Sequence, residues 1–321
     1  MSTSPTRIAV LSRSFSRHPI LRAELQARYP EASFNDTGRT LAGEELLGFL
    51  AGHDGAIVAL EKMDAATLAA ATDLKIIGKY GVGLDNVDLH ACAAQGMLLG
   101  WSGGVNRRSV AELAISFMIA GLRGVTVSQA EIRAGIWRQF PGRQVSDVTV
   151  GLVGCGHVGQ ELARLLRCFG TRVIAHDLRD FPEFYAANDV TPVSLDALTE
   201  QADVISLHVP LTPKTRHLFD ADRLSRMKRG AIIVNTARGG LVDEAALEEA
   251  LVSGQLGAAC FDVFEVEPPS RTSLLALPNF LATAHIGGSA EEAVLAMGRA
   301  AIDGLSNAVD PLSHIPEWAR S

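Results

Sequence analysis

A short apolar strand runs into three glycines between residues 150 and 159, and this arrangement constrains the fold more than any other feature of the chain. Gly154, Gly156 and Gly159 have the spacing G-x-G-x-x-G, a helical pattern begins directly after them, and a second apolar strand ends at Asp177. One glycine permits a tight turn, one lets a pyrophosphate approach the backbone, and one lets the helix pack closely on the strand. This order predicts a unit that binds a dinucleotide, in preference to a glycine-rich turn with a purely structural role.

The residues around the glycine turn also indicate which dinucleotide is bound. Asp177 can accept hydrogen bonds from the adenosine ribose hydroxyls, and its charge repels a 2′-phosphate. His157 and Val158 follow Gly156 at the start of the helix, where free N–H groups and a partial positive charge face the phosphates. The expected cofactor is therefore NAD rather than NADP.

Length and composition limit the other classes of function. With 321 residues and 47% hydrophobic content, the chain suits two domains with sizeable cores. A net charge of −7 predicts no nucleic-acid partner, and the longest uncharged apolar run, 113–122, is too short to span a membrane. The cysteines lack the spacing of metal ligands, so we expect no metal site and a reduced protein in the cytoplasm. They are Cys92, Cys155, Cys168 and Cys260.

Strand and helix patterns alternate along the whole chain, which predicts an α/β fold of two doubly wound parallel-sheet domains. Strands are predicted at 7–12, 55–60 and 75–78, and then at 148–153, 172–176, 204–208, 231–235 and 257–262. A long helix is predicted from Ser109 to about Leu122, with Ser109 as its N-cap and Glu112 at the capping-box spacing. Because ligands of such sheets bind beyond the carboxyl ends of the strands, residues just after strands are candidate site residues.

Six segments resemble the D-isomer-specific 2-hydroxyacid dehydrogenases, in the phosphoglycerate-dehydrogenase-like branch. They are 79–88 (KYGVGLDNVD), 106–112 (NRRSVAE), 207–212 (LHVPLT), 235–240 (NTARGG), 261–268 (FDVFEVEP) and 285–289 (HIGGS), in the family's order and spacing. The resemblance implies a Rossmann cofactor domain, residues 103–285, inserted into a flavodoxin-like substrate domain made of residues 1–102 and 286–321. It also implies an NAD-dependent oxidoreductase that transfers a hydride between NAD(H) and a small D-2-hydroxy acid or 2-keto acid.

Three polar residues after predicted strands match the family's catalytic set. A guanidinium can hold the carboxylate and polarise the carbonyl of a 2-keto acid, and the resemblance implies this role for Arg238. Hydride addition creates an alkoxide that needs a proton donor near neutral pH, and the resemblance implies His285 as this acid/base. A carboxylate bonded to the imidazole orients it, which is the role implied for Glu267.

The resemblance implies further contacts with cofactor and substrate. Beyond the glycine turn and Asp177, the implied cofactor contacts are Ser102, Val209, Thr236, Ala237, Asp262 and Gly288. The implied substrate contacts are Lys79, Tyr80, Val82 and Gly83, together with Arg238. Consecutive backbone N–H groups in the loop 80–83 can form an anion nest for the substrate carboxylate.

The substrate itself stays open at this point. Phosphoglycerate enzymes tend to have arginine near the strand end where this chain has Ala59 and Leu60, and the following Glu61 would repel a phosphate. Other cations are candidates for binding a second anionic group such as a phosphate or phosphonate, and we expect a preference for substrates that carry one. These cations are Lys79, Arg107, Arg108 and Arg138. The alternative is that most of them are solvated or paired on the surface.

Two further expectations concern partners. The nearly continuous apolar character of 113–122 predicts a homodimer that uses this helix and the segment after it, with burial inside a single chain as the alternative. A second function also fits the same catalytic set, because NAD-sensing regulators that resemble the C-terminal-binding corepressors retain it. The dehydrogenase is the preferred function, since no disordered tail is predicted.

Overall fold

The computed structural model describes residues 6–315, and contacts between Cα atoms divide the chain into two compact units. The first unit comprises Met1–Asn106 and Glu291–Ser321, and the second comprises Arg107–Ala290. The chain therefore enters the second unit once, completes it, and returns to the first. Each unit contains one parallel sheet with helices on both faces.

The first unit has a five-stranded parallel sheet in the order β2-β1-β3-β4-β5. Its strands are β1 (Ile8–Val10), β2 (Ser33–Phe34), β3 (Gly55–Val58), β4 (Ile76–Lys79) and β5 (Leu98–Gly100). Its helices are α1 (Arg13–Arg17), α2 (Pro19–Arg28), α3 (Gly43–Leu50), α4 (Ala65–Ala70), α5 (Leu89–Ala94) and the last helix, Glu291–Gly304, followed by a 3₁₀ turn at Pro311–His314. This strand order is that of flavodoxin-like domains.

The last helix lies so close to the first sheet that two strand positions require glycine. A Cβ on Gly78 would be 2.5 Å from the carbonyl oxygen of Ala301, and a Cβ on Gly100 would be 2.3 Å from Cα of Gly304. A side chain at either position would push the helix away from β4 or β5. Ala301 and Leu305 complete the apolar layer on this face of the sheet.

The second unit has a seven-stranded parallel sheet in the order β12-β11-β10-β9-β6-β7-β8. Its strands are β6 (Thr149–Val153), β7 (Arg172–His176), β8 (Val190–Pro192), β9 (Val204–Leu207), β10 (Ala231–Asn235), β11 (Leu256–Phe261) and β12 (Phe280–Ala282). Its helices are α6 (Arg107–Leu122), α7 (Val125–Arg133), α8 (His157–Arg167), α9 (Pro182–Asn188), α10 (Leu195–Gln201), α11 (Ala221–Arg226), α12 (Glu244–Val252) and α13 (Thr272–Leu275). Read from β6, this is the Rossmann strand order with one additional strand.

Helices cover the second sheet on both faces. On one face α6 and α8 pack together and bury Phe117, Met118 and Leu162 against the strands. On the other face Leu198 and Leu247, from α10 and α12, belong to a second apolar layer. The predicted fold class, two doubly wound parallel sheets of which one is a Rossmann sheet, is confirmed.

The predicted start of the long helix is wrong. The helix α6 begins at Arg107, so Ser109 lies inside its first turn and is not its N-cap. The Ser109 hydroxyl instead donates a hydrogen bond to the carbonyl oxygen of Gly287, at 2.6 Å. A long-range partner has replaced the local capping bond that the capping-box spacing predicts.

Over residues 6–315, no single helix has the length and hydropathy of a membrane span. The helices α6 and α7 meet the test when taken together, but a bend of 60° separates them.

Candidate active site

The glycine turn has the close contacts that its spacing predicts. Gly154 has φ +99°, and a Cβ on it would be 2.7 Å from the carbonyl oxygen of His208. A Cβ on Gly159 would be 2.1 Å from the carbonyl oxygen of Gly154, so helix α8 can approach β6 only if residue 159 is glycine. A Cβ on Gly156, in contrast, would have Nη2 of Arg179, at 3.5 Å, as its nearest neighbour. Open space over this glycine, at the start of an 11-residue helix, fits a pyrophosphate.

Asp177 lies directly after β7 and is bonded to the glycine turn. Its carboxylate accepts hydrogen bonds from the backbone N–H of Cys155, at 2.7 Å, and from that of Arg179, at 2.9 Å. Nε of Arg179 lies 3.6 Å from the same carboxylate. Because a carboxylate has about four acceptor positions, these bonds leave capacity for ribose hydroxyls. The geometry fits the ribose-binding role predicted for Asp177 and adds a structural role in fixing the turn.

Most of the other predicted cofactor contacts lie along the carboxyl edge of the second sheet. Val209 follows β9, Thr236 and Ala237 follow β10, and Asp262 follows β11. The Oγ1 atom of Thr236 is buried and has no hydrogen-bond partner among residues 6–315. Such an atom at a ligand-binding edge fits contact with a polar ligand group. Ser102 belongs to the first unit, where it is exposed directly after Trp101.

His285 and Glu267 form a hydrogen-bonded pair in the second unit. Nδ1 of His285 lies 2.8 Å from Oε2 of Glu267, while Oε1 of Glu267 accepts a bond from the backbone N–H of Phe264, at 3.1 Å. The imidazole is half exposed, and its Nε2 finds no hydrogen-bond partner in the described part of the chain. One ring nitrogen is thus held by a carboxylate and the other is available for proton transfer, as in a catalytic triad.

Asp262 holds the turn that carries His285. The residue is only 1% exposed, and its carboxylate accepts bonds from the hydroxyl of Thr283 and from the backbone N–H groups of Ile286 and Gly287, the latter two at 2.7 Å. The backbone N–H of His285 also donates to the Asp262 carbonyl, at 2.9 Å. The predicted contact of Asp262 with the cofactor therefore comes with a structural role that the sequence did not indicate. Gly288, the last predicted cofactor contact, lies in the same turn and is half buried.

Arg238 lies in a tight turn after β10 that packs on the Glu267 loop. Its Nη1 donates to the carbonyl oxygen of Ala237, at 2.7 Å. The next residue, Gly239, is so close to the loop that a Cβ would lie 1.8 Å from the carbonyl oxygen of Phe264. The structure therefore brings the turn of Arg238 against the loop of Glu267, and hence near His285.

Asn235 is a site residue that the sequence analysis missed. It is buried at the end of β10, its Nδ2 donates to the carbonyl oxygen of Arg238 at 2.8 Å, and its Oδ1 accepts from the N–H of Ala237 at 3.1 Å. These two bonds set the backbone of the Arg238 turn. Asparagine at a strand end commonly bonds its own turn, and that local signal was available in the sequence.

In the first unit, the side chain of Lys79 is buried. It is 4% exposed, and its Nζ donates to the carbonyl oxygen of Ala59, at 2.6 Å. Glu61 is also buried, and its Oε2 accepts from the backbone N–H of Ala59, at 2.8 Å. Both charged residues thus hold the loop after β3, and this loop presents Leu60 with 75% of its surface exposed.

The other predicted substrate residues of the first unit lie on the loop after β4. Tyr80 is buried, with its ring edge-on to Phe15 at 5.5 Å, and burial raises the pKa of its hydroxyl although a hydrogen bond from Ser14 acts the other way. Val82 and Gly83 are half buried, and the carbonyl oxygen of Val82 accepts a bond from Nε1 of Trp101, at 3.1 Å.

The arginines named as candidates for binding a second anion have acidic partners within the second unit. Nε of Arg108 lies 3.2 Å from Glu161 and 3.6 Å from Glu112, and Nε of Arg107 lies 3.7 Å from Glu161. Arg138 is paired with Glu131. These arginines form surface ion pairs, which is the alternative that the sequence left open.

The thiols and potential metal ligands offer no further site in residues 6–315. Cys92, Cys155 and Cys260 are buried and unpaired, and burial raises their pKa values to about 11, 12 and 12. No group of three or more histidine, cysteine, aspartate or glutamate side chains in this range is placed to hold a metal ion.

Comparison with known proteins assigns the family. Residues 115–287 match the model of the "D-isomer specific 2-hydroxyacid dehydrogenase, NAD binding domain". A hydroxypyruvate reductase from Thermotoga maritima is 40% identical over 82% of this chain and 87% of that protein. A D-3-phosphoglycerate dehydrogenase from Methanocaldococcus jannaschii is 40% identical over 80% of this chain, which spans only 50% of that longer protein.

The solved structure of a glyoxylate reductase from Paecilomyes thermophila has a TM-score of 0.82 and 29% identity, covering 94% of each chain. The resemblance found in the sequence motifs and the prediction of NAD as cofactor are confirmed, and the corepressor alternative is not favoured. The chain belongs to the NAD-binding D-isomer-specific 2-hydroxyacid dehydrogenase family.

Proposed function

We propose that the substrate of this dehydrogenase is a small 2-keto acid with an uncharged side chain, which it reduces to the D-2-hydroxy acid. The observation that carries the proposal is the His285–Glu267 pair, at 2.8 Å, beside the turn of Arg238. This set offers a proton donor, a group that orients it and a guanidinium for a carboxylate. When bound, NADH would supply the hydride.

The protein's own residues account for the remaining steps. Arg238 binds the carboxylate of the keto acid and polarises its carbonyl group. As hydride reaches the keto carbon, Nε2–H of His285 gives its proton to the carbonyl oxygen. Glu267 accepts from Nδ1–H of the same ring, which fixes the tautomer and stabilises the imidazolium. In the reverse oxidation, neutral His285 takes the proton from the hydroxyl group.

The preference for an uncharged side chain rests on the loop after β3. In the order β2-β1-β3-β4-β5 the connections reverse between β1 and β3, and ligands of open α/β sheets bind at such a point. There the chain presents the apolar side chain of Leu60, while Lys79 and Glu61 are buried in holding the loop. The hydroxypyruvate reductase and glyoxylate reductase relatives bear names consistent with such substrates.

A panel of keto acids tests the proposal, with the loss of NADH absorbance as the signal. Hydroxypyruvate, glyoxylate and pyruvate form one arm, and phosphohydroxypyruvate and oxaloacetate form the other. We expect kcat/KM to be at least about tenfold higher in the uncharged arm, a ratio that corresponds to 1.4 kcal/mol. A higher kcat/KM in the anionic arm contradicts the proposal.

Leu60→Arg sharpens this test, because it places a cation at the end of β3. We expect the ratio of anionic to uncharged kcat/KM to rise by about tenfold or more. Val252→Arg is the matched control, since Val252 is a 70% exposed apolar residue at the end of α12 in the second unit. If both variants change the ratio equally, the change does not depend on the position of Leu60.

We further propose a homodimer that forms through α7 and the segment after it, in a cytoplasmic protein. The helix α6 buries six of its residues in its own unit and exposes the large apolar side chain of Ile119. Every residue of α7, in contrast, is at least partly exposed, and large apolar side chains follow one another along this part of the chain. The exposed side chains are Val125, Ile132, Ile136 and Trp137.

The proposed location in the cytoplasm rests on the cysteines, which are all free, as expected in a reducing compartment.

A further inference from the structure

The turn after His285 is held by hydrogen bonds to both backbone groups of one residue, Gly287. The backbone N–H of Gly287 donates to Oδ2 of Asp262, at 2.7 Å, and the carbonyl oxygen of Gly287 accepts from the hydroxyl of Ser109, at 2.6 Å. Asp262 ends β11, and Ser109 lies in the first turn of α6, so two separate elements hold this glycine. Neither bond is local in sequence, and both are made by partly or fully buried groups.

The same glycine packs directly on α6. A Cβ on Gly287 would be 3.0 Å from Oδ2 of Asp262, 3.5 Å from Cγ2 of Val110 and 3.8 Å from Cδ2 of Leu113. The turn therefore lies between the aspartate and the start of the helix, and a side chain at residue 287 would be tight against the Asp262 carboxylate. A small shift of the turn would break the Ser109 hydrogen bond, and loss of that bond would release the turn on the α6 side.

His285, two residues earlier, has a backbone conformation that needs such support. Its φ is +54°, in the left-handed region that residues other than glycine rarely adopt. Conformations of this kind persist where the surrounding structure enforces them, and they are concentrated at functional sites. The bonds to Gly287 are part of that enforcement, because they fix the chain immediately after His285.

We infer that Ser109 is a positioning residue for the acid/base His285, acting through its hydrogen bond to Gly287. The inference rests on the proposed function, since it takes His285 as the proton donor. Among residues 6–315, the Ser109 hydroxyl bonds to Gly287 and forms no hydrogen bond with His285 or Glu267. Ser109 keeps Nδ1 of His285 at 2.8 Å from Oε2 of Glu267, and it thereby fixes the orientation of the imidazole and of its Nε2.

Ser109→Ala removes the hydroxyl and little else. We expect kcat for keto-acid reduction to fall about tenfold. A displacement of a catalytic group by about 1 Å lowers the rate roughly 100-fold, so a smaller displacement is sufficient for this loss. The KM for the keto acid should change less than about twofold, since Arg238 binds the carboxylate in both ground and transition states. Ser109→Thr retains a hydroxyl on the same carbon and should restore kcat to within about threefold of wild type.

Ser116→Ala is the matched control, because it removes a hydroxyl from the same helix. The Ser116 hydroxyl donates to the carbonyl oxygen of Leu113, at 2.7 Å, within α6 itself. We expect wild-type kcat for this variant. Thermal melting and NADH binding by fluorescence check that each variant is folded.

Three results separate the possible failures. If Ser109→Ala has the kcat of Ser116→Ala, or if Ser109→Thr is as slow as Ser109→Ala, the inference is wrong while the dehydrogenase assignment stands. A Ser109→Ala variant in which KM rises while kcat is unchanged also contradicts the inference. If the wild-type protein reduces no keto acid, or if His285→Gln is fully active, the proposed function fails independently of Ser109.

Discussion

Glu267 bonds to His285 through one carboxylate oxygen, Oε2 at 2.8 Å from Nδ1, and to the backbone N–H of Phe264 through the other, Oε1 at 3.1 Å. The second bond matters for the first, because it anchors the carboxylate to its own loop. The imidazole is therefore held by a group that cannot rotate freely. The bond to Phe264 thus fixes the carboxylate oxygen that His285 contacts.

Removal of the imidazole should nearly abolish turnover. We expect His285→Gln to lower kcat on the order of 100- to 10,000-fold, the range that a positioned acid or base contributes. Arg238→Lys should also cause a large loss, because an ammonium group lacks the planar fork that holds a carboxylate. Steady-state kinetics with the best keto acid measures both effects, and NADH binding should persist. Activity above about a tenth of wild type would contradict these roles.

Two acids on one loop allow a direct comparison of their roles. We expect Glu267→Gln to lower kcat at least about tenfold, because the amide cannot stabilise an imidazolium as a carboxylate does. Glu265→Gln is the control. Glu265 lies two residues away and pairs with His217, at 2.5 Å, instead of with His285. Equal losses in the two variants would mean that the loop, and not the Glu267 carboxylate, determines the rate.

The charge at the end of β7 should select NAD. We expect kcat/KM for NADH to exceed that for NADPH by at least about tenfold, which corresponds to 1.4 kcal/mol. Asp177→Asn should narrow this ratio, and it is a better test than alanine because its amide oxygen can still accept the hydrogen bond from Cys155. An unchanged ratio in this variant would show that another group excludes the 2′-phosphate.

The apolar side chains of α7 and the following segment should be needed for self-association. Trp137, which is 83% exposed, is the largest of them. We expect light scattering to show two chains for the wild type and one chain for the double variant Ile132→Asp/Trp137→Asp, because charges on this surface oppose its burial. Val252→Asp introduces the same charge at an exposed apolar position elsewhere and should leave the dimer intact. A wild-type mass of one chain would refute the proposal.

His208 should make the protein less stable in mild acid. Burial lowers the pKa of this histidine to about 3, whereas in the unfolded chain it is about 6.5. Between these values the unfolded state binds one more proton, so the free energy of unfolding is highest above pH 6.5 and falls as the pH decreases. From pH 7 to pH 5 the loss should be about 1.9 kcal/mol, because the slope reaches 1.36 kcal/mol per pH unit only well below pH 6.5.

Urea unfolding of wild type and His208→Gln at pH 7 and pH 5 measures this effect. The variant has no imidazole at this position to take up a proton on unfolding. Its free energy of unfolding should therefore fall less than that of the wild type between pH 7 and pH 5. Parallel curves for the two proteins would show that His208 is not the group responsible.

Local patterns predicted much of this molecule. The strand–glycine–helix order around Gly154 and the acid at Asp177 specify a βαβ unit, since each residue type there meets a steric or charge requirement of its own position. The predicted strand bounds 172–176 and 231–235 agree with β7 and β10. Four short strands, β2, β5, β8 and β12, were not predicted. They have two or three residues each, too few to show a pattern.

The missed features depend on contacts between residues that are distant in sequence. Lys79 follows a strand as a substrate-binding cation would, but the pairing of β3 with β4 places it against the carbonyl oxygen of Ala59. Ser109 has the spacing of an N-cap, but its hydroxyl finds Gly287 instead. Spacing predicts which residues reach a sheet edge or helix end, and tertiary packing decides what each of them bonds to there.

The close approach of the last helix to Gly78 and Gly100 has a consequence for synthesis on the ribosome. The first unit cannot complete its sheet packing until residues 291–304 have emerged, because that helix covers β4 and β5. The second unit, by contrast, has its whole sequence available once residue 290 has emerged. Domains generally fold as units during synthesis, usually the N-terminal one first. Here we expect the reverse order, in which the second unit can complete its packing before the first, because β4 and β5 are covered by residues 291–304.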